Sequence, residues 1–454
     1  MPRQTVGRAR SPRRLGWLAA LWLAALALLA AALCGCGGPA PAPSGQAAAP
    51  AAPGITPGPL QPLSPDTGEG RYCLGQGEQA GLFWYIDYAS AAAAPLCSKP
   101  GCAHTGPDCP ARLPGADYVG TPQALGDGRV VFVAGSGGCD AAWLAGPDGE
   151  RRLLLECPPG EYGLSLAAQD GTYLYYCRAL SDGSLAYARL SLAGGAPEEL
   201  FRLPGGDGNG CQLLGCEGRG LVLYTWDLDP VPEITITDDS PGSIEAAVQA
   251  HNEALTRLFG RRSVLLVDMD TGSQRTLDRW ETPLSEGEGR SLLWAGGRLY
   301  WCDSAAAGPV HWLDAAGGSG EAGVLPDSMN APEAVFTLSG VVQNHLLFDR
   351  YDPAADVLSR YALPLGPGQG GEPVPLPLSY MANGFPHPVQ ILGQGADSLL
   401  VEYEVRELPH QAGFYEDGAP ITGTVPVNLW GVISYEDYFA GRPAWRTVEG
   451  AYLR

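Results

Sequence analysis

Leu82-Phe83-Trp84-Tyr85 is a short apolar and aromatic run that follows a turn residue, and runs of this kind return six times, each after a turn of Gly, Asp or Asn. The later runs are Val130-Val131-Phe132-Val133, Tyr173-Leu174-Tyr175-Tyr176, Leu221-Val222-Leu223-Tyr224, Leu299-Tyr300-Trp301, Leu346-Leu347-Phe348 and Leu399-Leu400-Val401. With Phe83, Phe132, Tyr175, Leu223, Tyr300, Leu347 and Leu400 as anchors, the spacings are 49, 43, 48, 77, 47 and 53 residues. Runs of this length, rich in aromatic and β-branched residues and bounded by turn residues, are strands. Pro147-Asp148-Gly149, Ser181-Asp182-Gly183 and Asp270-Thr271-Gly272 read as hairpin turns between them. A repeat of about 40 to 50 residues holding several short strands is the signature of a β-propeller blade. One four-stranded sheet cannot bury both faces, but a closed ring of sheets can. The pattern predicts an all-β propeller of about seven blades, with six to eight allowed. A sandwich, or two smaller β domains, is the alternative that even spacing and the lack of a mid-chain linker disfavour.

The long interval lies in the fourth unit and holds an insertion from about 229 to 260. Ser240-Pro241-Gly242-Ser243 is a helix start signal. Ile244, Ala247, Val248, Leu255, Leu258 and Phe259 then recur at helical spacing, with Gly260 as the expected stop. The expected element is one amphipathic helix whose apolar side packs on the propeller's own surface, with a lid or partner-docking role as the alternative.

Outward from the repeats, the N-terminus carries an address. Arg3, Arg8, Arg10, Arg13 and Arg14 precede an apolar run from Leu15, which closes on Leu33-Cys34-Gly35-Cys36. A basic region, an apolar region and small residues before a cleavage point define a secretory signal. A cysteine directly after that point resembles a bacterial lipobox. The resemblance implies cleavage before Cys36 and a diacylglyceryl thioether on its sulfur. An uncleaved anchor helix fits less well, because no basic stop-transfer flank follows. The expected organisation is a signal peptide over 1–35, a Pro/Ala-rich tether over 36–66 and the propeller over 67–454. The expected location is the extracytoplasmic face of the cell membrane, held through the N-terminal lipid.

The formal net charge is -21, and the leader carries five arginines and no acids. The mature chain is therefore near -26, from -21 minus 5. That balance argues against nucleic acid and anionic lipid surfaces as partners, since both reward positive charge.

Ten of the twelve cysteines follow Cys36. Cys97, Cys102, His104 and Cys109 place three thiols and one imidazole within thirteen residues, with Pro100-Gly101 and Gly106-Pro107 as tight turns. Such a set can satisfy a tetrahedral zinc ion, and four protein ligands would make that zinc structural. The spacing matches no well-defined zinc motif, and export favours oxidation, so a disulfide within the cluster or free thiols stay open. Cys139 and Cys157 lie nine residues either side of Asp148. A regular hairpin would set them opposite each other, within disulfide reach. Cys211 and Cys216 could close a short loop, and Cys177 and Cys302 read as small buried side chains.

No catalytic signature stands out. His251, His311, His345, His387 and His410 are scattered, and neither a phosphate loop nor a nucleophile elbow appears. Asp227-Leu228-Asp229 and Asp238-Asp239 read as solvated turns rather than calcium loops.

Two segments carry a family resemblance. Pro95-Leu96-Cys97-Ser98-Lys99-Pro100-Gly101-Cys102-Ala103-His104, closing with Cys109-Pro110-Ala111, resembles an element of uncharacterised surface lipoproteins of clostridial gut bacteria. Val432-Ile433-Ser434-Tyr435-Glu436-Asp437-Tyr438 is similar to another near their C-termini. The resemblance implies a lipid anchor and a β-propeller-like domain, and no activity. This chain departs from it in its extra cysteines and its helical insertion. The expected function is a non-catalytic binding or scaffold propeller with a protein or glycan ligand. A glycan- or peptide-acting hydrolase or lyase, and a sensory or capture partner of a transport or signalling system, are the alternatives.

Overall fold

The computed structural model describes residues 58–449, leaving out 76–78, 80, 107, 114–115, 147, 159–161, 207, 235, 237–239, 367–370, 383 and 415–419. Cys36 and the leader lie outside the described residues. Seven antiparallel sheets follow one another along the chain, over residues 70–95, 118–156, 162–203, 209–283, 290–324, 335–376 and 390–447. They are the seven blades of a β-propeller. A two-stranded hairpin, Ser379–Ala382 with Phe385–Pro388, lies between blades six and seven. Among the described residues no helix is long and apolar enough to cross a membrane.

Every anchor run falls on the second strand of its blade, and all seven anchors are buried. The packing explains why these runs are continuously apolar. Alternate side chains of a strand point to opposite faces, and in a ring both faces meet a neighbouring blade. Leu346 and Phe348 pack in the core shared by blades five and six, while Leu347 packs between six and seven. Val131 faces blade three, while Val130 and Phe132 face blade one. Seven such cores exist, one per adjacent pair of blades, and the seventh joins Trp84 and Ile86 of blade one to Leu400, Trp430 and Val432 of blade seven.

Ring closure differs from the usual device, in which a C-terminal strand joins the first sheet. Arg446–Thr447 pairs with Gly431 and Val432 of blade seven itself. One parallel bridge, Ala92 to Glu449, reaches blade one. Side chains do the rest: Val448 is buried between blades seven and one, and the Arg446 guanidinium donates to the carbonyls of Tyr88 and Ala89 at 2.9 and 2.6 Å.

The segment read as the end of the tether is part of the fold. The Leu60 N–H donates to Gly218 O of blade four at 2.7 Å. Gln61–Pro62 pairs with Ala168 and Gln169 of blade three. Ser64 bridges Ala124 of blade two, and the Asp66 carboxylate accepts from the Gln394 N–H of blade seven at 2.7 Å. One short segment thus reaches four blades, three at their first strands or the edge beside them and blade four at the Gly218 turn. Residues 60–66 therefore tie together blades that lie far apart in the chain.

The insertion is helix α1, Pro241–Leu255, between the second and third strands of blade four. The Ser240 hydroxyl caps it, accepting from Ser243 N–H at 3.3 Å. Two expectations need correction. The helix stops at Leu255, and Gly260 is strand, opposite Leu228 and Thr282. No residue of α1 is buried, and Ile244 and Val248 face solvent. Ser243, Ala247, His251, Ala254 and Leu255 are half-covered.

Candidate metal centre

The chain leaves blade one after Ala92–Pro95 and returns at Ala111. Both ends of this excursion are pinned to one residue. The Leu96 N–H donates to Phe83 O at 2.9 Å, and the Phe83 N–H donates to Ala111 O at 2.7 Å. Inside it the backbone turns three times, through Cys102 N–H to Lys99 O at 3.3 Å, Cys109 N–H to Gly106 O at 3.1 Å and Arg112 N–H to Cys109 O at 3.0 Å. Arg151 of blade two donates to the carbonyls of Cys109 and Pro110, and Arg112 donates to His104 O at 3.3 Å. The loop thereby joins blades one and two.

These turns gather Cys97, Cys102, His104 and Cys109. Their four ligand atoms lie within 4.8 Å of one another, close enough to chelate a structural metal such as zinc. A tetrahedral zinc with usual bond lengths sets sulfurs about 3.8 Å apart and a sulfur and nitrogen about 3.6 Å apart. His104 Nδ1 stands 3.4 Å from Cys109 Sγ. His104 also holds φ +58°, a left-handed conformation that non-glycine residues adopt uncommonly and that calls for a compensating constraint. A disulfide within the cluster would leave this histidine without a part, whereas the structure aims it at the thiols. The three thiols are unbonded.

The electrostatics favour thiolate on one side of the cluster. Cys102 is held below the usual thiol range, first by the His104 N–H and further by hydrogen bonds from Cys97 and Cys109 and the Lys99 charge, against some burial. Burial pushes Cys109 up, against an N–H bond from Ala111. A divalent cation would reverse the second effect. Four protein ligands complete a tetrahedron, so the centre can hold the excursion in shape but leaves no open position for a substrate.

The hairpin pair is not brought together. A bulge between Ala142 and Trp143 shifts the register, so Glu156 faces Ala141 and the Cys157 N–H donates to Asp140 O. Cys157 is thus one residue out of step with Cys139, which turns the two side chains to opposite faces. Neither cysteine forms a disulfide. Cys211 and Cys216 sit on one strand, Asn209–Glu217, also unbonded, with Cys211 Sγ 2.8 Å from the Tyr187 hydroxyl. Cys302 is buried as expected, and Cys177 is half-buried. Asp227 and Asp229 pair with Arg261 at 3.5 and 2.9 Å. His311 stacks on Trp301 and His345 lies against Phe439.

Comparison with known proteins gives only distant matches. No protein-family model matches the chain, and no curated protein does. Among solved structures, a post-proline cleaving enzyme from Rickettsia typhi is 9% identical, with 84% of this chain and 58% of that chain covered and a TM-score of 0.42. The Pyrococcus horikoshii acylaminoacyl peptidase is 9% identical over 67% of this chain and 56% of that one, with a TM-score of 0.34. The WD40 domain of SCAP from fission yeast is 9% identical, covering 86% and 88%, with a TM-score of 0.36. The chain spans little more than half the length of the peptidases it matches. Nothing about activity carries across at these values.

Proposed function

We propose that this protein is a lipid-anchored, extracytoplasmic binding propeller that serves as a scaffold for a partner. The supporting observation is the excursion from blade four. Val231, Ile234, Ile236, Ile244, Val248 and Phe259 are each 40 to 49% exposed, within 29 residues of chain. Singly exposed apolar residues are ordinary, but a concentration of them marks an interaction surface. Two of them, Ile244 and Val248, stand on the capped helix. The metal centre keeps blades one and two in place, and the lipid on Cys36 fixes the protein at the membrane.

Two measurements test this reading on cells. Cys36→Ser should release the protein from the membrane fraction or leave its leader uncleaved. A photo-crosslinking residue at position 248 should yield a discrete adduct that one at the exposed Val374 of blade six does not. Processing and anchoring unchanged by Cys36→Ser overturns the anchor. The absence of any adduct at 248 overturns the binding role.

A further inference from the structure

A cleft beside the 60–66 segment shares no residue with the blade-four excursion. Its volume is about 530 Å³, within the range of small-molecule sites. Gln61 and Ser64 form one wall, Glu69, Tyr72 and Tyr85 at blade one a second, and the turn over 126–129 of blade two a third. Tyr72 and Tyr85 are partners across the first two strands of blade one. Their ring centroids lie 5.0 Å apart, with the rings tilted by 55°. A Cβ at Gly70 would fall 2.4 Å from the Tyr85 ring, so glycine at that position is what lets the ring lie across the strand.

Most polar groups of the cleft are already spent. Asp66 accepts from the N–H groups of Gly68 and Gln394 at 2.9 and 2.7 Å. Thr67 donates to Gly70 O at 2.9 Å and lies 3.3 Å from the Tyr85 hydroxyl. Gln169 donates to Gln61 Oε1 at 2.7 Å, and Arg129 pairs with Asp127 at 2.6 Å. Four lining groups have no hydrogen-bond partner among the described residues: the Tyr72 hydroxyl, the Gln61 amide N–H groups, the Ser64 O–H and the Glu69 carboxylate. Tyr72 carries the most weight, because the residue is only 8% exposed. A hydroxyl on so buried a ring is costly to leave unmatched. Burial pushes its phenol up, and Tyr85 and Asp127 add to the effect, so the group stays a donor.

We propose that this cleft binds a neutral carbohydrate. The unspent groups are three donors and one charged acceptor. A sugar hydroxyl both donates and accepts, so neighbouring hydroxyls of one ring can meet the whole set. An anionic ligand is opposed by Asp66 and Glu69, and Arg129, already paired, is the one cation among the lining residues. An ammonium-type cation brings no acceptor, and would leave Tyr72, Gln61 and Ser64 unmatched.

The test applies the labelled mature chain, held in a non-sugar detergent, to an array of neutral, sialylated and sulfated glycans. Calorimetric titration follows with the best-retained glycan, with choline and with citrate. Neutral glycans should be retained above both acidic sets. Tyr72→Phe removes only the O–H and should weaken binding several-fold with an unchanged melting temperature. Glu69→Ala, at an exposed position, should also weaken it several-fold without loss of stability. Neutral-glycan binding that neither variant changes puts the contact elsewhere and overturns the inference. Preference for acidic glycans, or citrate binding that Tyr72→Phe weakens, replaces the neutral class with an anion. Choline binding weakened by the same variant replaces it with a cation. An array that retains nothing removes the carbohydrate site.

Discussion

At the scale of single residues, His104 and Arg219 carry the clearest consequences. His104 combines a left-handed backbone with a ring nitrogen 3.4 Å from a thiol, a cost that coordination would offset. One zinc per chain is expected by elemental analysis of anaerobically purified protein, lost in His104→Ala and in chelator. Loss of the metal should lower the melting temperature by several degrees, as removing structural zinc withdraws folding free energy. Metal-free protein with an unchanged melting curve would show that the excursion stands without it. Arg219 joins blades three and four: it donates to Asp170 at 2.9 Å, to Tyr175 at 2.7 Å, to Asp270 at 2.7 and 3.0 Å, and to Gly58 O at 2.6 Å. Burial pushes the Asp170 carboxyl up, but N–H bonds from Tyr173 and Thr172, the Tyr175 hydroxyl and Arg219 outweigh it and hold it below its ordinary value. Arg219→Leu leaves that carboxylate buried without its cation and should cost about 3 kcal/mol in denaturant unfolding. Four further thiols, Cys73, Cys177, Cys216 and Cys302, are pushed by burial from 9.0 up to about 12. A raised folded-state value means that the unfolded chain loses its proton first. Stability should therefore be intact below pH 9 and fall as pH rises from 9 towards 12. Thermal melts across that range check it; a rise in stability would contradict the sign.

At the scale of elements, the excursion of blade four is separable from the sheet that carries it. Leu228 already faces Gly260 across the second and third strands, so a tight turn there can replace the inserted chain. Substituting Asn-Gly for residues 230–258 should leave the melting temperature within a few degrees, because α1 has no buried residue. Cooperative loss of the whole domain would show that the helix supports the ring. The start of this helix was legible from Ser240 and Pro241, since capping is a local hydrogen-bond problem. Its end was not. Gly260 carries the composition of a stop, but the strand ladder with Leu228 and Thr282 claims it first. The hairpin holding Cys139 and Cys157 shows the same limit, as the bulge between Ala142 and Trp143 has no signal in the turn that was used to set the register.

At the scale of the molecule, the segment over 60–66 matters most. It hydrogen-bonds to blades four, three, two and seven. A chain truncated to begin at Thr67 should therefore unfold at lower temperature in a single calorimetric transition. A truncation that melts like the full chain would show that the seven cores suffice. By itself the sequence determined the blades and put their number near seven, because each central strand must be apolar on both faces and the ring repeats that demand at near-even spacing. It also named the four members of the candidate metal centre, because the Pro100-Gly101 and Gly106-Pro107 turns fold a thirteen-residue stretch back on itself. The tertiary structure alone decided how the ring shuts, what the tether's end does and which side of α1 faces water. Those depend on contacts between residues far apart in the chain, and a segment such as 60–66, which looks unstructured in isolation, acquires hydrogen-bond partners only from sheets distant in sequence.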